Sequence, residues 1–153
     1  MIALTKYYLY FFLLCLVFTL ISGVAAALLP NAIAGALTAL PYMVAMICVL
    51  HIFLKQQQRA PTQSERKKFA VIFVLLFWLF NILGMLAGLW IFSLSDPGLW
   101  QDVSLYFYSW RFTLIILGMG LVISLPMFLL TYWFYGKQAQ RMAEKMFEKN
   151  NQS

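Results

Sequence analysis

Four long apolar runs, at residues 7–29, 32–54, 69–93 and about 110–135, constrain this chain more than any other feature. Only the last contains a Lys, Arg, Asp or Glu, and that residue is Arg111. An α-helix needs about 20 apolar residues to cross the hydrocarbon core of a bilayer. In lipid, backbone hydrogen bonds must be satisfied internally, which a helix does within its own segment. Membrane strands would alternate in polarity, and these runs are apolar all round. The pattern predicts an all-α transmembrane four-helix bundle over residues 1–136, with a short basic amphipathic helical tail at 137–153. Of the 153 residues, 63% are hydrophobic and 10% charged, with mean hydropathy +0.82. Soluble domains carry about 25% charge, so one compact membrane bundle with no separate soluble domain is expected.

Charge placement predicts orientation. Lys6, the middle-loop residues Lys55, Arg59, Arg66, Lys67 and Lys68, and the tail residues Lys137, Arg141, Lys145 and Lys149 fall on one side of four crossings. Of the 11 Lys and Arg, only Arg111 falls on the other. The positive-inside rule then puts both termini and the 55–68 loop in the cytoplasm, with the 29–32 turn and 94–109 loop outside. The net charge of +6 is read as attraction to an anionic cytoplasmic leaflet, not to nucleic acid.

Lys6, the apolar stretch after it and Ala25–Ala27 imitate a cleaved signal peptide. The run exceeds the roughly 7–15 residues of such a core, so it is read as a retained span. There are two cysteines. Cys15 and Cys48 fall at similar depth in the cytoplasmic halves of spans 1 and 2 and read as small buried hydrophobes.

Leu29-Pro30-Asn31 forces spans 1 and 2 into an antiparallel hairpin. In the middle loop, Pro61 interrupts helix, and Thr62 with Glu65 forms a capping box. The third helix should therefore start near Gln63, presenting Arg66, Lys67 and Lys68 at the lipid surface. Ser95-Asp96-Pro97-Gly98 signals a turn. Trp90, Trp100, Tyr106, Tyr108 and Trp110 suit an interfacial aromatic belt. In the tail, Ala139, Met142, Ala143 and Met146 recur at helical spacing, either as a surface anchor or as a partner-docking face.

Small residues mark helix-packing candidates, because helices in lipid associate by close approach at such positions. They are Gly23, Gly35, Gly84, Gly88, Gly120 and Ser124, with Asn81 as a mid-membrane hydrogen-bonding group expected to reach a neighbouring helix. Gly84-x-x-x-Gly88 is the strongest single instance. These contacts serve packing within the chain, or a homo-oligomer or membrane-protein partner. All intramembrane glycines fall in outward halves, and large rings crowd the inward halves. That distribution predicts a bundle tight outside and wider toward the cytoplasm, with Pro41 and Pro126 bending spans 2 and 4. The wide end would be filled by aromatics or hold a lipid-facing cleft. Arg111 is expected to snorkel outward or to pair with Asp102 or Asp96. His51, near the inner end of span 2, reads as interfacial.

No span carries Asp, Glu or Lys in its core, which argues against a proton-coupled antiporter. No phosphate loop, zinc ligand set or nucleophile–base pair is visible, so neither enzyme chemistry nor a cofactor is expected. The stretches Phe18–Pro30 (FTLISGVAAALLP), Arg59–Lys68 (RAPTQSERKK) and Thr131–Arg141 (TYWFYGKQAQR) resemble an uncharacterised family of small four-span inner-membrane proteins of Gram-negative bacteria. The resemblance implies a bacterial inner-membrane location and this topology, and transfers no functional residue. Three functions fit: a non-enzymatic accessory or assembly subunit of a larger membrane complex; a small transporter, channel or lipid-handling protein; or an immunity-type protein against a membrane toxin.

Overall fold

A computed structural model describes residues 2–28, 40–96 and 98–150. The expected 29–31 turn, Gly35 and Pro97 lie outside the described residues. The described chain is helical: α1 (Ile2–Leu28), α2 (Leu40–Gln57), α3 (Gln63–Ser93), α4 (Leu99–Tyr108) and α5 (Trp110–Trp133). A π-helical turn at Phe134–Gln138 joins α5 to α6 (Ala139–Asn150). Among the described residues, four helices are long and apolar enough to cross a membrane, as the sequence predicts.

Ring contacts order the helices. Tyr7 meets Phe53 at 5.1 Å between centroids and Phe11 meets Tyr42 at 5.5 Å, so α1 and α2 are antiparallel. Phe11 stacks on Phe73 at 3.9 Å, and Phe12 meets Phe80 at 6.0 Å, so α1 and α3 are parallel. Phe69 lies 4.9 Å from Tyr135, just past the end of α5, and Trp78 bonds Ser124, so α3 and α5 are antiparallel. The starts of α1 and α3 and the ends of α2 and α5 therefore gather at one end. The basic loop and tail emerge there, so it is called the basic end.

The core sits at that end. Tyr7, Phe11, Phe53, Phe69, Phe73 and Tyr135 are fully or almost fully buried. Toward the far end exposure rises. Trp90 is 65% exposed and Val122 73%. Among the described residues this reverses the expected taper: they pack tightly at the basic end and are more exposed toward the other. Interlocked rings supply the interhelical contact there. The glycines only permit close approach, and nothing compels it where exposed apolar surface meets lipid instead of water.

The middle loop folds as its sequence directs. The Thr62 hydroxyl accepts from the Glu65 amide at 3.4 Å, and the Glu65 carboxylate accepts from the Thr62 amide at 2.8 Å. This capping box starts α3 at Gln63, as predicted. Arg59 adds a bidentate pair to Glu65 at 2.7 and 2.8 Å. Ahead of it, α2 ends with Gln58 in the left-handed region, at φ 50°.

The far-end connection differs from expectation. The sequence predicts a loop over residues 94–109, yet Leu99–Tyr108 forms α4. Asp102 in its first turn suits the positive helix N-terminus. Tyr106 and Phe107 pack on Phe112 of α5, with centroids 5.6 and 6.1 Å away. The belt residues Trp90, Trp100, Tyr106, Tyr108 and Trp110 are all exposed.

The tail continues α5 as an amphipathic helix, and its apolar face is occupied within the chain. Ala139 and Ala143 are buried in the core cluster, with Met142 and Met146 half-buried against it. At the π-helical turn, Gly136 leaves space for Arg66. A Cβ there would stand 2.7 Å from the Arg66 guanidinium nitrogen Nη1.

Candidate functional site: a cleft between α2, α3 and α5

Above the aromatic core, α5 is fastened to its neighbours by two hydroxyl relays. Ser124 donates to the Gly120 carbonyl of its own helix at 2.7 Å and accepts from the Trp78 indole Nε1 of α3 at 2.7 Å. Thr131 donates to the Met127 carbonyl at 2.9 Å, which uses its one hydroxyl hydrogen. The Tyr42 hydroxyl of α2, 2.6 Å from Thr131 Oγ1, must therefore be the donor in that contact. Each such interhelical bond in a membrane protein contributes about 0.6 kcal/mol. Tyr135, fully buried, donates to the Met46 carbonyl at 3.1 Å and secures the level below. Among the described residues, every buried side-chain nitrogen and oxygen has a partner.

The relays flank Pro126. Proline has no N–H to offer the carbonyl four residues back, which here belongs to Val122. Between the two fastened points opens a cleft of about 520 Å³, walled by Tyr42, Met43, Phe77, Trp78, Pro126 and Met127. Its surface is mostly apolar. Asn81 stands at its edge, exposed, and donates to the Phe77 carbonyl of its own helix at 2.8 Å. It makes no hydrogen bond to a neighbouring helix among the described residues, contrary to expectation. An i to i−4 bond within α3 competes successfully for its amide.

The packing candidates divide. Gly120 and Ser124 meet the same indole, since a Cβ on Gly120 would stand 3.6 Å from Trp78 Cζ2. Gly23, Gly84 and Gly88 have nothing within 4 Å of an added Cβ among the described residues. Thr131 lies with Gly120 and Ser124 among the small residues that the sequence of span 4 marks, whereas Tyr42, its partner in the second relay, is not among the sequence candidates. Neither type nor spacing pairs residues separated by 89 positions. Cys15 is buried and Cys48 half-buried, both as free thiols.

Of the charged candidates, Arg111 and Asp102 are exposed, and neither joins an ion pair among the described residues. Arg111 thus lacks the expected Asp102 or Asp96 partner. His51 and Lys55 are exposed near the end of α2. Arg59 is held by Glu65, and Arg66 is half-buried against Gly136. Lys67, Lys68, Lys137 and Arg141 are exposed around the basic end. The Arg59 guanidinium, helped by both Thr62 groups and opposed by partial desolvation, pulls the Glu65 carboxyl down to about 2. Among the described residues, no group of three or more His, Cys, Asp or Glu could hold a metal ion.

No family model, curated protein or solved structure matches this chain.

Proposed function

We propose that this is an inner-membrane protein that crosses the bilayer four times, with both termini and the 55–68 loop in the cytoplasm. In this reading it acts as a non-enzymatic accessory or assembly subunit of a larger membrane complex. One observation carries the proposal: close-approach positions stand unused in the far half of the bundle. Among the described residues, Gly23, Gly84, Gly88 and Gly118 meet no atom within 4 Å of an added Cβ. Small residues allow a neighbouring helix to approach closely in lipid, and a partner subunit would supply that neighbour. The basic residues at the opposite end support the orientation, because Lys and Arg flank cytoplasmic ends of spans. An anionic leaflet attracts each of them by about 1 kcal/mol.

Affinity purification in a gentle detergent tests the proposal. A stoichiometric membrane partner is expected, lost on Gly84→Leu with Gly88→Leu. Recovery of this chain alone contradicts it. The cleft favours a second reading, a lipid-handling protein that holds part of a lipid within the bundle.

A further inference from the structure

We propose that the cleft between α2, α3 and α5 holds one acyl chain of an anionic phospholipid drawn from the leaflet at the basic end. The inference rests on the second reading above and is independent of whether a partner subunit exists.

Depth supports it. Lys67 and Trp78 are separated by three helical turns on α3, about 16 Å along the axis, and share a face. Half of the hydrocarbon core is about 15 Å thick. With Lys67 at the headgroups, Trp78 therefore stands near the bilayer centre, and the cleft lies where lipid chains end. On α5, Leu130 lines the cleft, and Lys137 follows about 10 Å further toward the basic end.

Chemistry supports it as well. At that depth the surrounding medium is hydrocarbon, not water. Trp78 and Tyr42 spend their donors on Ser124 and Thr131, so they present ring surface to the cleft. A flexible alkyl chain fits such walls, and Met43 and Met127 adapt to an irregular one. Charge selects the lipid. Lys67, Lys68 and Lys137 are exposed, and none joins an ion pair among the described residues. The described far-end connection instead carries Asp96 and Asp102 against one Arg111. A phosphate whose headgroup adds no compensating cation is the complement of that lysine set.

Quenching of Trp78 by brominated lipid tests the inference. The other tryptophans, Trp90, Trp100, Trp110 and Trp133, are changed to Phe, and the protein is reconstituted into phosphatidylcholine bilayers. A small fraction of the lipid is either phosphatidylglycerol or phosphatidylcholine brominated in the distal half of the acyl chain. Half-maximal quenching is expected at an about fivefold lower fraction of the anionic lipid, as expected from one added lysine–headgroup attraction. Lys67→Gln with Lys137→Gln should equalise the two lipids. Met43→Phe with Met127→Phe should reduce quenching by both while circular dichroism stays unchanged. Equal quenching by both lipids in the unaltered protein overturns the inference, as does no quenching by either. Selectivity that survives removal of both lysine charges overturns it too. A co-purified partner affects none of these readouts, so failure here is distinct from failure of the subunit proposal.

Discussion

At the scale of single residues, the chain is most readable where interactions are local. Thr62 and Glu65 are three positions apart, and their capping box forms as their types require. The Arg59 contribution to the same carboxylate comes from six residues away, across a loop whose course no spacing rule gives. The depressed Glu65 pKa has a definite sign. A carboxylate lowered on folding stabilises the folded state above its unfolded value of about 4.3, and that stabilisation is lost as pH falls toward the folded value. Between about pH 5 and pH 2, first-turn amides of α3 should lose hydrogen-exchange protection, after correction for intrinsic rates. Arg59→Gln should move the midpoint upward, and Glu65→Gln should flatten the profile. Gln58 supplies a second test. A non-glycine residue in the left-handed region costs about 1 kcal/mol. Gln58→Gly at this helix end should therefore stabilise the protein by about 1 kcal/mol in denaturant titrations in detergent. A destabilised variant would show that the side chain, not the backbone, matters there.

At the scale of elements, the long helices and the amphipathic tail are explicit in hydropathy and periodicity, whereas α4 is not. Its stretch LWQDVSLYFY is short and aromatic, and it reads as a belt-bearing loop until Phe112 gives Tyr106 and Phe107 something to pack on. The tail shows the same limit. Periodicity identifies the apolar face of α6, but only the folded chain shows that α2 and the core cluster cover it. Placing a long charged side chain there should free the helix. Ala143→Lys overfills a position 6% exposed, at a cost of about 1–3 kcal/mol. Limited proteolysis at Lys and Arg of the tail should then accelerate about tenfold or more, since cleavage follows the population of the released form. The remaining helices should stay resistant. An unchanged cleavage rate would mean that the tail is already free.

At the scale of the whole molecule, the reversed taper shows why composition did not give the shape. Glycine marks where helices are able to approach, and Gly84 and Gly88 have nothing within 4 Å of an added Cβ among the described residues. Aromatic rings mark where space is filled, and Phe11 stacked on Phe73 closes the basic end. The subunit proposal and the acyl-chain inference both stand on four crossings of the bilayer, and the subunit proposal also takes the basic end to be cytoplasmic. Cysteine accessibility in intact cells tests that threading most directly. Single cysteines are placed at Gln63, Ser104 and Ser153 in a Cys15→Ala, Cys48→Ala background and treated with a maleimide that cannot cross the inner membrane. Labelling is expected at position 104 only, with 63 and 153 labelled once the inner membrane is permeabilised. Labelling at position 153 in intact cells would contradict the threading.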